Sequence, residues 1–414
     1  MTTYRSLCAA LLLTAATSTL VQAAEPRSMS ELEFGENGTL FVGDSLGAQV
    51  LAIETGDTAA PQSGGAPVFV EAIDVKLAQL LDAEPRDIHV QDLKANPLSQ
   101  NVYIAVHVGR SADPRAALVR LVKDTGELEV VDLANASVTA VELPSAPGFE
   151  DTLQYGQSER TLTVTDLTWY DGGDADPATG ELFVAGVSNE DFASTLRRVA
   201  HPFGEGRDAV KVSSVEIYHA AHTRQETRAP IVTSVIHEIE GEPYLFAAYT
   251  CTPVAYFKLS ELVDGAHVVG TTVAELGFGN APVDMFVYEN PEPLKFLGEG
   301  KKLLITNDQR SAVSVSADAI PDATPLSADA GRLTRATGLD QFALPLTASL
   351  QTAPLNPMFT LTLRRNVQTG DLNLQSVMTG AFFEVSESIV EFNFPEVPPS
   401  GTPSTNPIDY GFEG

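Results

Sequence analysis

The stretch that decides the fold is ELEFGENGTLFVGDSLGAQVLAIETGD, residues 31–57 of the chain. It holds three short apolar runs, with glycine, asparagine and aspartate between them. Runs of this length that are rich in Val, Leu, Ile and Phe and bounded by turn-forming residues are typical of β-strands. The stretch therefore predicts an antiparallel meander of short strands.

The middle strand of this meander recurs along the chain. Its counterparts are apolar runs of the Leu-Phe-Val-Ala type, spaced 58 to 80 residues apart. They begin at Leu40, Val102, Leu182, Leu245 and Leu303, with a weaker sixth at Leu361. Four strands in each period of roughly 60 residues are the signature of a β-propeller blade. The pattern predicts an all-β chain folded as a single β-propeller of six or seven four-stranded blades; two β-sandwich domains are the alternative, which the regular spacing disfavours.

Two hairpins carry a resemblance to a known group of proteins. Residues 31–57 and the segment DPATGELFVAG, residues 176–186, follow the order Phe-Gly-x-x-Gly-x-Leu-Phe-Val-Gly-Asp or part of it. They resemble the blades of exported bacterial propellers of the NHL, YVTN and SMP-30-like kind. The resemblance implies the propeller fold. It implies no single activity, because this superfold hosts lactonases, quinone dehydrogenases and pure scaffolds.

The net charge of the chain limits the partners that we expect for it. The 414 residues include 55 acids and 25 bases, a formal charge of −30. Nucleic acid and anionic lipid both bind cationic surfaces, so neither is an expected partner.

An apolar run from Leu7 to Leu20 follows Arg5 and precedes small residues. This order is typical of a secretory signal peptide, and the run is too short for a membrane span. We expect a signal peptide over residues 1–24, a propeller over 25–394 and a proline-rich extended tail over 395–414, in a periplasmic or secreted protein.

Topology indicates which residues share a face. In a propeller, the loops from second to third strands and from fourth strands to the next blade emerge on one face, around the central channel. Asp44, His107 and Cys251 belong to such loops, whereas Asp166 and Asp284 lie on innermost strands that line the channel. Carboxylates there either cap local backbone N–H groups or hold a cation. Closure of the ring is expected to use the strand-like segment 388–394, since an open ring leaves two exposed edges.

The most specific cluster is YHAAHTRQETR, residues 218–228. Imidazole and carboxylate groups ligate zinc, copper or iron, so His219, His222 and Glu226 are candidate metal ligands. Cys251 is the sole cysteine after the predicted signal peptide. It is either a buried apolar residue or a thiolate ligand shared with these histidines. The alternative for the cluster is an exposed polar loop. The complete candidate metal set is His219, His222, Glu226, Cys251, His107, Asp166 and Asp284, for a divalent metal such as Ca, Zn or Cu.

Two functions of different classes fit these observations. The first is a binding or scaffold propeller that presents its loop face to a protein or small-molecule partner, with a metal at the channel-mouth loops. The second is a metal- or quinone-dependent enzyme, either a lactonase-like hydrolase or a dehydrogenase, that uses the same face. The sequence favours the first function because it contains no complete catalytic constellation.

Overall fold

The computed structural model describes residues 26–153, 156–172, 180–204, 209–328 and 335–382. The predicted signal peptide, the tail and the closing segment 388–394 lie outside these residues. The described part is all-β apart from a few short helical turns and one α-helix, α1 (Ile73–Leu80). No helix in these ranges has both the length and the apolar character needed to cross a membrane.

The strands confirm the repeated second-strand pattern. In chain order they are β1 (Glu31–Phe34), β2 (Thr39–Asp44), β3 (Gln49–Glu54), β4 (Phe69–Val70), β5 (Ile88–Ala95), β6 (Val102–Val108), β7 (Arg115–Leu121), β8 (Leu128–Val130), β9 (Ser137–Glu142), β10 (Asp166–Tyr170), β11 (Gly180–Val187), β12 (Ser194–His201), β13 (Val210–His219), β14 (Arg224–Glu226), β15 (Ile231–Ile239), β16 (Glu242–Tyr249), β17 (Pro253–Lys258), β18 (His267–Glu275), β19 (Pro282–Tyr288), β20 (Lys302–Asn307), β21 (Val313–Ser316), β22 (Thr337–Gly338), β23 (Phe342–Ala343), β24 (Ser349–Asn356), β25 (Phe359–Arg365) and β26 (Leu372–Met378). All six predicted second strands are present, as β2, β6, β11, β16, β20 and β25.

These strands form four four-stranded sheets and one ten-stranded sheet. The four small sheets have the strand orders β1-β2-β3-β9, β5-β6-β7-β8, β19-β20-β21-β23 and β24-β25-β26-β4. The large sheet joins two antiparallel meanders, β10–β13 and β15–β18, which we call the third and fourth meanders. Their outermost strands, β13 and β18, pair in parallel, and the short strands β14 and β22 add to them.

The sheets are arranged as in a propeller. The first strand of each meander contacts the first strands of two neighbours, in the closed cycle β1, β10, β15, β19, β24, β5 and back to β1. Second strands lie behind them and are covered on both faces, so Leu40, Phe41 and Val42 are all buried. Burial on both faces explains why these strands read as continuous apolar runs. The all-β, propeller-like architecture is confirmed, and two separate sandwiches are excluded for the described residues.

Two outermost strands come from unexpected parts of the chain. A blade built from consecutive strands would take the strand after β3 as its fourth, but β9 completes that sheet. The strand that does follow β3, β4, pairs instead with β26 of the sheet nearest the end of the described chain. Pairing removes an exposed edge from each sheet. The β4–β26 pair therefore ties the early part of the chain to its later part, whereas β9 closes the first sheet.

Alternating strand direction gives the molecule two distinct faces. Second and fourth strands end on one of them, which we call the loop face. First strands end on the other, where hairpins such as residues 35–38 and 96–101 connect them to second strands. Asp44, His107, His219, Cys251 and Asp308 all lie at the loop-face ends of their strands, as the sequence predicted.

Candidate metal centre

Three chain segments meet at the loop-face end of the large sheet. β13 ends at His219, and a tight turn leads into β14, so that His219 pairs with Arg224. The loop between β16 and β17 carries Cys251, and β18 ends at Glu275. The first segment belongs to the third meander and the other two belong to the fourth. The site therefore lies at the junction between the two meanders.

The structure brings together four of the predicted metal ligands. One ligand atom from each of His219, His222 and Cys251 lies within 4.8 Å of the other two. The two imidazole rings are 3.9 Å apart between centroids. Glu226 Oε1 lies 3.4 Å from His219 Nδ1 and 3.3 Å from His222 Nδ1. Two imidazoles, a thiol and a carboxylate are a donor set that zinc and copper accept.

A buried acid that the sequence analysis missed, Glu275, contacts His219 from the protein interior. Glu275 is fully buried, and its Oε2 lies 3.6 Å from His219 Nε2. The Thr252 hydroxyl donates to the same carboxylate oxygen and lies 3.4 Å from that ring nitrogen. The Ala221 N–H donates to the other oxygen of Glu275 at 3.2 Å. A carboxylate that holds the second ring nitrogen of a ligating histidine is the usual outer-shell partner of a metal site.

Glu275 and His219 occupy equivalent positions in neighbouring meanders. Glu275 closes a fourth strand, as His219 closes the fourth strand of the preceding meander. Because the two outermost strands pair in parallel, their final residues reach the same edge of the sheet. The parallel pairing of two outermost strands is not part of a standard propeller blade, so the sequence pattern gave no reason to compare these positions.

Burial and hydrogen bonding set the protonation of the cluster. Burial lowers the pKa of His219, although the Glu275 carboxylate opposes the shift. Burial also raises the pKa of the Cys251 thiol. For Glu226, burial would raise the pKa, but hydrogen bonds from Arg224 and His222 lower it. Neutral imidazole is the form that binds metal, whereas the thiol must lose a proton to do so.

Exposure within the cluster is uneven. His219 is buried, with 2% of its side chain exposed, whereas His222 is 39% exposed. Arg224 reaches Glu226 from solvent, with Nε 2.8 Å from Oε1. An ion could therefore approach from the His222 side and be held against the buried side of the site.

The other three predicted ligands lie elsewhere. His107 is on the second strand β6, and its Nε2 accepts the Met29 N–H at 3.1 Å. Asp166 and Asp284 lie on first strands, which surround the channel, whereas His219 ends an outermost strand. His107 therefore lies within a strand and not in the predicted loop. The cluster lies towards the rim of the molecule and not at the channel mouth, whereas the two aspartates lie at its centre.

The channel aspartates join adjacent first strands. Asp92 Oδ2 accepts the Leu32 N–H at 2.8 Å, and Asp284 Oδ2 accepts the Thr352 N–H at 2.6 Å. Asp166 accepts a hydrogen bond from the hydroxyl of Ser234 on β15. Asp92 and Asp284 therefore cap backbone N–H groups, whereas Asp166 binds a side-chain hydroxyl.

The channel also contains charged groups that the sequence analysis did not single out. Lys94 lies 3.8 Å from Glu33, and Asp92 and Glu33 raise its pKa although burial alone would lower it. Burial raises the pKa of Asp166 to about 8 and that of Asp284 to about 7. A cavity of about 770 Å³ adjoins this region. Its lining includes Glu36, Pro97, Glu289 and Pro357 from first-to-second hairpins, so it opens opposite the loop face.

Comparison with known proteins found structural likenesses at low sequence identity. No known protein family matches the chain, and neither does any curated protein. It is similar to a chain in a crystal structure of the mitotic checkpoint complex, with 10% identity, 91% of this chain and 99% of that chain covered, and a TM-score of 0.34. It is also similar to a chain in a crystal structure of BBS1N in complex with ARL6DN (10% identity, 87% of this chain and 95% of that chain covered, TM-score 0.30). A third similar structure is the Kuenenia stuttgartiensis hydrazine synthase (12% identity, 89% and 100% covered, TM-score 0.31). The architecture therefore rests on the strand pairings described above.

Proposed function

We propose that this protein is a binding or scaffold propeller that holds a transition-metal ion on its loop face. One observation carries the proposal: a ligand atom from each of His219, His222 and Cys251 lies within 4.8 Å of the others. Glu226 lies beside both imidazoles, and Glu275 and Thr252 support His219 from the protein interior. The donors are nitrogen and sulfur with one adjacent carboxylate, which suits zinc or copper and disfavours the all-oxygen coordination of calcium.

Binding fits the geometry better than catalysis. A lactonase-like site would need several carboxylates that converge on one ion, but Asp92 and Asp284 each accept a backbone N–H from a neighbouring strand. The large cavity opens on the opposite face from the histidines. A metal-dependent enzyme is the second candidate function. The donor set alone supports it, because catalytic zinc sites also have three protein ligands and an open position.

The proposal extends to blade number and compartment. The closed cycle of first strands supports six blades, two of which share the large sheet. The apolar run from Leu7 to Leu20 supports export to the periplasm or the exterior. The likeness of residues 31–57 to NHL, YVTN and SMP-30-like blades supports membership of that exported bacterial group. The loop face would then meet a protein or small-molecule partner outside the cytoplasm.

Metal uptake by the purified protein tests the proposal. The metal-free protein is incubated with Zn²⁺ or Cu²⁺, desalted, and analysed for metal by mass spectrometry. We expect about one ion per chain, and the double variant His219→Ala with His222→Ala should lose it because two of three close donors are gone. The matched control is His267→Ala, which removes an exposed imidazole away from the cluster.

Retention of metal by the double variant would refute the site. So would an unloaded wild-type protein under reducing conditions, in which Cys251 is free to bind. Circular dichroism of each variant checks that the fold is intact, which we expect because neither substituted position belongs to the apolar core beneath the site.

A further inference from the structure

The candidate ligands come from two different meanders. His219, His222 and Glu226 belong to the β13–β14 hairpin of the third meander, whereas Cys251 belongs to the β16–β17 loop of the fourth. The third and fourth meanders already touch at several places. Their first strands, β10 and β15, are in contact, and their outermost strands pair over Ser214–Ile217 and His267–Gly270. The two meanders thus form an almost closed wall around a shared core.

That core ends beneath the candidate site. Buried apolar residues from both meanders pack together inside the wall; they include Phe183, Leu196, Ile217, Leu245, Tyr249 and Phe257. Fully buried Tyr249, which ends β16 two residues before Cys251, donates its hydroxyl to the Val215 carbonyl of the other meander at 3.1 Å. The loop-face end of the core is therefore covered by the β13–β14 hairpin and the β16–β17 loop.

Without an ion, few contacts join these two covering segments. His219 reaches Thr252 of the β16–β17 loop at 3.4 Å. His219 and the Ala221 N–H also reach Glu275, which ends β18 of the same meander, at 3.6 Å and 3.2 Å. His222 contacts Glu226, which belongs to the same hairpin. An ion held by both imidazoles and the thiolate would add a coordinate bond from each segment to one centre.

We propose that the bound ion is a thiolate-ligated ion of the zinc class and that it cross-links the third and fourth meanders at the loop face. This inference rests on the proposed metal binding and adds the identity of the ligand set and the role of the ion. Thiolate and imidazole donors together favour Zn²⁺, Co²⁺ or copper over Mg²⁺ or Ca²⁺. Ligation by Cys251 is the step on which the cross-link depends, since it is the one proposed ligand from the fourth meander.

Cobalt substitution tests the thiolate directly. The metal-free, reduced protein is titrated with Co²⁺ and followed by absorption spectroscopy, because cobalt–thiolate bonds give an intense near-ultraviolet charge-transfer band that nitrogen and oxygen ligands do not give. We expect the band at one equivalent in the wild type. Cys251→Ser should lose it and weaken binding at least about tenfold. Thr250→Ser, a change in the same loop that keeps the hydroxyl, should alter neither.

Hydrogen–deuterium exchange tests the cross-link. Addition of Zn²⁺ should slow amide exchange in the wild type both in the 219–226 hairpin and in the 250–253 loop, because the ion restricts local opening of both segments. In Cys251→Ser and in Cys251→Ala, Zn²⁺ should leave exchange in the 250–253 loop unchanged. Use of both variants guards against a local folding defect caused by one of them.

The outcomes separate the two proposals. If the wild type takes up no Zn²⁺ or Co²⁺, the proposed function fails and the cross-link fails with it. If the wild type takes up one ion without a thiolate band, or if Cys251→Ser binds as tightly as the wild type, the cross-link is wrong and metal binding by the hairpin stands. Slowed exchange in the hairpin alone would also overturn the cross-link.

Discussion

Cys251 occupies a backbone conformation that few side chains tolerate. Its φ is 80°, in the left-handed region that favours glycine. A residue other than glycine there carries strain of about 1 kcal/mol or more, and such strain is common where a side chain has a functional role. The loop between β16 and β17 would be more stable with glycine at this position. The presence of a thiol instead agrees with its proposed use as a ligand.

This strain makes a prediction that separates stability from metal binding. In metal-free buffer, we expect Cys251→Gly to be more stable than Cys251→Ala by about 1 kcal/mol, because both remove the thiol but only glycine relaxes the backbone. Urea unfolding measures the difference. Both variants should gain less stability from Zn²⁺ than the wild type gains through linked binding.

Glu240 provides the matched comparison. It is exposed and has a φ of 53° in the turn between β15 and β16, on the opposite face from the metal cluster. Glu240→Gly should likewise be more stable than Glu240→Ala, and both should keep the full Zn²⁺ response. Equal stability of the glycine and alanine variants at residue 251 would contradict the argument from strain.

At the residue scale, the sequence predicts the local part of the site and misses the distant part. His219, His222 and Glu226 fall within eight residues, so their spacing alone predicts that they can share an ion. Cys251 was predicted from its rarity and its loop. Glu275 and Thr252 were not predicted, because their contacts with His219 depend on the parallel pairing of β13 with β18. That pairing leaves no periodic signal in either strand.

At the scale of elements, Asp44 shows how one side chain fixes a turn and a strand. Its buried carboxylate accepts N–H groups from Arg27 at 3.0 Å, Ser28 at 2.8 Å and Gly47 at 2.8 Å. It also accepts the Gln49 side-chain amide at 2.9 Å. These bonds hold the chain before β1 against the turn between β2 and β3. Of the two roles considered for loop-face acids, backbone capping is the one that Asp44 fulfils.

The network predicts a large loss when the carboxylate is removed. Asp44→Ala leaves several N–H groups without a partner in a buried setting, so we expect a loss of about 2 to 4 kcal/mol in the free energy of unfolding. Asp44→Asn keeps one acceptor oxygen and should lose less. Asp191→Ala, at an exposed loop-face position, should be close to neutral. Chemical denaturation of the three variants checks the order, and a neutral Asp44→Ala would show that the network adds nothing.

Element by element, the second strands were predictable and some outermost strands were not. Second strands are buried on both faces, so they give long apolar runs that stand out in any sequence. The strand β4 has two residues, Phe69 and Val70, and Phe69 is 61% exposed. In β9, only Val141 is buried. Strands this short or this exposed carry little hydrophobic pattern, so their pairing with distant sheets could not be predicted.

At the scale of the whole molecule, the order of the meanders along the chain differs from their order around the ring. The meander of β5–β8 comes second in sequence, but its first strand lies between β1 and β24. The first meander therefore has the second and the third as its neighbours. A repeat pattern predicts how many similar units exist, but it contains no information on which units adjoin. That order is decided by side-chain contacts between sheets, such as the stacking of Phe41 on Trp169 at 5.1 Å.

The central channel gives the whole fold a pH dependence. Asp166 has a pKa raised to about 8 and Asp284 one raised to about 7, in both cases chiefly by burial. In the unfolded chain both groups ionise near pH 4. Between these values the folded state holds protons that the unfolded state has released, so the free energy of unfolding falls as the pH rises. The stability contributed by these protons is present in full below pH 4 and is lost as the pH rises through about 8.

We therefore expect the urea midpoint to fall between about pH 7.5 and pH 9, above the range in which histidines and ordinary carboxylates titrate. The decrease in unfolding free energy can reach about 1.4 kcal/mol per pH unit for each proton held by the folded state alone. The double variant Asp166→Asn with Asp284→Asn removes both titrating groups and should flatten the dependence. The control variant, Asp191→Asn with Glu261→Gln, removes two carboxylates from exposed positions and should keep the wild-type slope. This control separates titration of the channel groups from the general charge repulsion in a chain of net charge −30. If both double variants flatten the slope equally, the pH dependence comes from net charge, and the channel carboxylates ionise as they would at the surface.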